Sequence, residues 1–216
     1  MSANVGVKNL QISATNTGAV PDKGDNNCED TLTTSNKSRM QQVEKIEGSS
    51  ESKSGIESFD AKTATTIQKG NFGEYKADYN LVNNKSLKDA GYDLEPIGRP
   101  APTSLDDTIV KGIDGLYKNK NEDSPIKYVI DEAKFGRSRL GKTEDGKQMS
   151  DEWLRGDITG NNRILDAVDG DDELAEEIID ALENGQVERV LTKVDAEGNV
   201  RTYRLDSTGK NIGTWP

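Results

Sequence analysis

IKYVIDEAKF, residues 126–135, mixes β-branched and aromatic residues with polar ones in partial alternation, and it reads as the strongest strand in the chain. Turn chemistry precedes it in NKNEDSP (119–125), and a shorter strand pattern, GIDGLYK (112–118), comes before that. The two strands are expected to pair as a hairpin. Side chains alternate along a strand, so Glu132 and Lys134 share one face and Asp131 points to the other. Asp114, on the preceding strand, is then placed to sit beside Glu132.

Outward from this hairpin the pattern mixes helix and strand. FGEYKADYNL (72–81) has apolar residues at helical spacing. Gly91 and the 96–102 stretch, with three prolines, break the chain into loop, and 136–146 reads as a basic loop. Helices are expected to begin at 148–154 and 161–168. The clearest one is DELAEEIIDALEN (172–184), with acidic residues in its first turn and Gly185 suited to end it. A second hairpin is expected from 187–194 and 200–206 across DAEGN. The expected fold is α/β: a mixed central sheet, with the Asp114 and Glu132 hairpin at its middle, flanked by helices. The second hairpin either extends that sheet or forms an accessory lobe.

All six Tyr and both Trp of the 216 residues lie after residue 70. Before it the chain is rich in Ser, Thr, Asn, Gly and Lys, a composition that buries too little apolar surface to offset chain entropy. Residues 1–65 are read as a flexible leader, linker or uptake region, with a weak helix at 38–47 and an exposed, unpaired Cys28. Residues 66–216 form the domain. No run approaches the ~20 apolar residues that span a bilayer, and no signal-peptide pattern opens the chain. Any export is expected to be directed by something outside these residues.

The absence of histidine excludes a Ser-His-Asp triad, a Cys-His dyad and a His-based zinc site. A single cysteine excludes an internal disulfide framework. The net charge of −11 argues against a broad basic coat for nucleic acid. That charge is uneven: residues 168–216 contribute −7 of it. By contrast, residues 133–143 hold Lys134, Arg137, Arg139 and Lys142 and no acid.

Any enzyme built from this chain must work with carboxylates, Lys, Tyr, Ser or a hard metal ion, and carboxylate–metal–lysine chemistry is the main route. Asp114 and Glu132 held side by side make an all-oxygen site suited to Mg²⁺ or Mn²⁺. A lysine two residues on can orient or deprotonate an attacking water and stabilise charge building on a phosphate. The Asp/Glu-x-Lys pattern alone is weak, with five matches in the chain against about three or four expected by chance. Only the match at 132–134 ends a buried-looking strand, follows a strand carrying an acid and leads through a loop into a helix. The competing reading is a solvated strand end with an incidental ion pair.

Four blocks in order, Gly73–Asp78 (GEYKAD), 112–117 (GIDGLY), 131–136 (DEAKFG) and 148–153 (QMSDEW), resemble the PD-(D/E)XK, or restriction-endonuclease-like, nuclease superfamily. More specifically, residues 70–165 look like nuclease domains at the C-termini of bacterial polymorphic and contact-dependent inhibition toxins. Ile113 stands where the motif's name has proline, at a variable position. The resemblance implies Asp114 and Glu132 as metal ligands and Lys134 as the water-orienting lysine. It implies Glu74 as the helix acid completing the site, and Gln148 as a polar residue on the following helix. The metal would be Mg²⁺ or Mn²⁺, or alternatively Zn²⁺, and the substrate DNA or RNA. An immunity protein in the producing cell, a larger secreted delivery protein and action in the target-cell cytoplasm are further implications.

Arg137, Arg139 and Lys142, in the loop after the motif, are the expected phosphate contacts, which position a backbone without reading sequence. Trp153 is expected in the core rather than as a stacking platform. Two other functional readings stand beside the nuclease. One is a non-catalytic module on the same scaffold that binds nucleic acid or protein. The other is an interaction domain working through its acidic C-terminal helix.

Overall fold

The stretch quoted first forms β3 (Tyr128–Phe135) in a computed structural model that describes residues 55–56 and 58–216. Cys28, the helix expected at 38–47 and most of the expected leader lie outside those residues. The elements before β3 are α1 (Thr66–Asn83), α2 (Lys85–Asp89), β1 (Leu94–Pro96) and β2 (Gly115–Asn119). After it come β4 (Lys142–Thr143), β5 (Gly146–Lys147), α3 (Asp151–Arg155), α4 (Arg163–Ala167) and α5 (Asp172–Glu183). The chain ends in β6 (Val187–Val194), β7 (Val200–Leu205) and β8 (Asn211–Thr214).

Six strands form one mixed sheet in the order β1-β2-β3-β6-β7-β8. β3 pairs antiparallel with β2 and parallel with β6, so the chain crosses from one to the other through α3, α4 and α5. The 187–206 segment therefore extends the sheet and is not a separate lobe. Helices cover both faces of β3, and its first six residues are all buried. Tyr128 and Ile130 pack on one face with Trp153, Leu154, Ile164 and Ile178. Val129 packs on the other with Leu81, Tyr117, Val190 and Trp215. Among the described residues no helix is long and apolar enough to cross a membrane.

Three of the differences from expectation have a local reason. α1 begins six residues before 72 because Thr65 and Gln68 form a reciprocal capping box. The 136–146 segment is not all loop, since β4 and β5 make a small hairpin within it and its flank. Gln148 does not lie on the following helix. Ser150 caps α3 by accepting the Trp153 amide, and Met149 turns with φ 71°, so helix begins only at Asp151. Within the expected leader, Ile56 is buried and Phe59 stacks on Phe72 with ring centroids 3.9 Å apart. Phe59 also meets the edge of Phe135 at 5.5 Å, tying this segment to the end of β3.

Candidate active site

The β2–β3 register sets the site. Gly115 pairs with Asp131, and one residue beyond that pair Asp114 comes alongside Glu132. Asp114 Oδ2 accepts the Ala133 amide at 2.9 Å, which fixes the carboxylate against β3. Glu132 extends from β3 on the same face as Lys134, whose ammonium donates to Glu132 Oε1. Gln148 donates its side-chain amide to that same oxygen at 3.2 Å. It also anchors the preceding loop: its Oε1 accepts the Gly141 amide at 2.7 Å, and its own amide donates to the Gly141 carbonyl at 3.0 Å. Glu132 Oε2 is buried and has no hydrogen-bond partner.

Glu74 reaches the cluster from α1 and meets Arg99 at 3.0 Å. Arg99 also lies 3.3 Å from Asp114 Oδ1 and donates to the Ile113 carbonyl at 3.2 Å. Sequence reasoning missed this arginine, because the 96–102 stretch reads only as loop. That loop is pressed onto β2: the amides of Ile97 and Gly98 both donate to the Leu116 carbonyl. A Cβ on Gly98 would lie 2.9 Å from Leu116 Cβ, so only glycine allows the approach without a shift. A basic residue directly after that glycine was the available signal.

The electrostatics are those of crowded, poorly solvated carboxylates. Burial, then the Asp114 charge, pushes Glu132 up to about 8 and Glu74 to about 7. Burial likewise raises Asp114. Burial works to lower Lys134, but Glu132 and Asp114 outweigh it, and the ammonium is held above its usual range. On the opposite face of β3, Asp131 is buried, accepts the Thr192 hydroxyl at 2.6 Å and is raised to about 8, chiefly by burial.

Glu74, Asp114, Glu132, Lys134 and Gln148 line a cleft of about 760 Å³. Lys69, Lys111 and Arg139 add positive charge to its walls, and Arg163 and Asp166 line it as well. Arg163 is fixed there, lying 4.6 Å over the buried Trp153 ring and paired with Asp145 at 2.9 Å. Burial would raise Asp145, yet hydrogen bonds from Thr159, Arg163 and Ile158 hold it at about 2. Of the three expected phosphate contacts, only Arg139 lines the cleft. Arg137 lines a neighbouring groove, and Lys142 is exposed on β4, where the adjacent Thr143 takes the place in the cleft wall.

Among the described residues no group of three acids is arranged to hold an ion by itself. The donor set nevertheless fits a hard divalent ion. Asp114 and Glu132 offer carboxylate oxygens, Glu132 Oε2 has no partner, and burial raises both carboxyls despite the cations beside them, so a further positive charge there would be favourable. Glu74, Asp114 and Glu132 share two ion-paired cations, Arg99 and Lys134. Compared with protein-family models, curated proteins and solved structures, the chain matches none.

Proposed function

We propose that this chain is a metal-dependent phosphodiesterase of the restriction-endonuclease-like type, acting as an endonuclease on DNA. One observation carries the reading: Glu132 and Lys134 leave one strand on one face beside Asp114, all three line one cleft with Lys69, Lys111 and Arg139, and one oxygen of the Glu132 carboxylate is buried without a partner. Asp114 and Glu132 would hold the ion, with Glu74 as the neighbouring third carboxylate. When bound there, a divalent ion supplies Lewis acidity toward a phosphodiester.

The chain's own groups have separable tasks. Lys134, kept protonated, orients water and offsets charge developing on the phosphate rather than serving as a base. Gln148 fixes the Glu132 carboxylate and the loop end together. Arg139 supplies a phosphate contact from that loop. The interbacterial toxin role, the immunity partner and the delivery protein are proposed on the resemblance of the four sequence blocks.

The test is incubation of EDTA-treated protein with supercoiled plasmid, and separately with RNA, in Mg²⁺, Mn²⁺ or Zn²⁺. Metal-dependent nicking of the plasmid that is lost in the Glu132→Ala, Lys134→Ala double variant supports the reading. Identical behaviour of the two proteins refutes it. Cleavage confined to RNA would keep the chemistry and change the substrate.

A further inference from the structure

The catalytic face of the sheet does not end at β3. In the parallel β3–β6 ladder Glu132 pairs with Leu191 and Lys134 with Lys193. In the antiparallel β6–β7 ladder Leu191 pairs with Tyr203 and Lys193 with Arg201. Register partners share a face, so Lys134, Lys193 and Arg201 form a row of cations across three adjacent strands. That row spans about 10 Å at ordinary strand spacing. Like charges opposite one another in a sheet are destabilising. Burial, then Lys134 and Arg139, lowers the proton affinity of Lys193, a sign of that crowding.

Lys193 of that row lines a groove of about 520 Å³ beside the 136–141 loop, and with Arg201 it lines a smaller hollow next to it. Arg137 and Arg139 of that loop, Lys193 and Tyr203 line the groove, and Ser138 and Arg139 line the cleft as well, so the two spaces meet along that loop. Among the described residues, Arg137, Arg139, Lys193 and Arg201 make no ion pair. Lys193 donates to the Ser138 carbonyl, and Arg201 lies near enough to Asp195 to help lower its carboxyl, yet in a chain with 39 acids against 28 bases none of the four cations is neutralised by an ion pair.

We infer that a single nucleic-acid strand leaves the cleft past Arg139 and crosses β6 and β7. Its phosphates lie on Lys193, Arg201 and Arg137, and a base lies against Tyr203. The inference rests on the nuclease reading for the identity of the polyanion. It adds a binding track that the motif residues do not include, and it explains why Arg137 stands outside the cleft. Unpaired bases stack on aromatic rings with little sequence preference, so the track is expected to hold single strands generally.

Fluorescence anisotropy with labelled single-stranded DNA of about 4 and about 16 nucleotides, in EDTA, tests it on the full chain. Wild type is expected to bind the longer strand at least tenfold more tightly. Lys193→Gln with Arg201→Gln is expected to remove most of that gain. It should also flatten the log affinity against log salt slope by about 1.4, the value for two lost single-strand phosphate contacts. Tyr203→Leu is expected to weaken the longer strand without changing the slope. Wild-type affinity and slope in the double glutamine variant, with metal-dependent plasmid nicking intact in wild type, would overturn the track and leave the nuclease standing. A loss of affinity in that variant, with no nicking by wild type, would support the track and refute the nuclease. Neither binding nor nicking by wild type would overturn both.

Discussion

Lys134 donates to Oε1 of Glu132, two residues earlier on the same strand, and leaves Oε2 of that carboxylate buried without a partner. An ion pair formed only for stability would be expected to satisfy both oxygens, because an unpaired buried acceptor costs about 1–3 kcal/mol. Glu132 lines the same cleft as Asp114, Lys69, Lys111 and Arg139, and this arrangement supports metal chemistry over an incidental strand-end pair.

A divalent ion that binds the folded chain should stabilise it, by about 2.7 kcal/mol at a hundred times its Kd. Thermal melts of EDTA-treated protein are expected to shift upward on adding Mn²⁺. Glu132→Gln, which keeps the shape and removes the charge, should abolish the shift. An equal shift in wild type and variant would show that Glu132 is not a ligand.

The raised carboxyls give a pH dependence with a definite sign. Glu132 at about 8 and Glu74 at about 7 keep protons in the native state that the unfolded chain has already released. Where the native state binds more protons, stability falls as pH rises. Metal-free protein is therefore expected to lose melting temperature steadily from about pH 5, just above the unfolded Glu range, to pH 8. Glu132→Gln should flatten the slope. Melts in EDTA across that range check it, and a melting temperature rising with pH would contradict the assignment.

Arg99 is the cation that Glu74 and Asp114 share. Its removal leaves two largely buried carboxylates facing each other, and breaking a buried pair costs about 3–5 kcal/mol. Partial exposure of the arginine places Arg99→Ala toward the lower end. Urea denaturation is expected to show that loss without metal and a smaller one with Mn²⁺, because the ion replaces part of the missing charge. Equal losses in both conditions would separate Arg99 from the metal site.

Gln148 touches both Glu132 and Gly141. Gln148→Ala is expected to lower kcat by about 10–100-fold, the usual cost of losing a group that orients a ligand. Amide exchange in residues 136–141 should quicken in the same variant. Wild-type exchange in that loop would mean the Gly141 contact is not an anchor.

Much of this arrangement could be read from local pattern. β-Branching and alternation in 126–135 gave β3, its inner position and the shared face of Glu132 and Lys134. Acidic first-turn residues and Gly185 gave α5. What escaped depends on distant pairing or on competing local signals. Nothing local places β6 parallel to β3, because that contact needs the whole crossover. Arg99 reaches Asp114 only because Gly98 lets its loop close on β2. The helix expected from Gln148 begins only at Asp151, because Ser150 caps it by accepting the Trp153 amide. The weakness of the bare motif also has a physical face: Glu74-Tyr75-Lys76 matches it on α1, where residues two apart do not share a side.

The most direct measurement is the rate of plasmid nicking by EDTA-stripped protein as Mn²⁺ is restored, with Glu132→Gln and Lys134→Met alongside. Nicking is expected to return in wild type with saturable metal dependence and to remain at least about 100-fold lower in both variants, as for the loss of a group acting directly in proton transfer or charge stabilisation. Nicking by wild type that is indifferent to EDTA, or variants as active as wild type, would contradict a metal-dependent nuclease built on Asp114, Glu132 and Lys134.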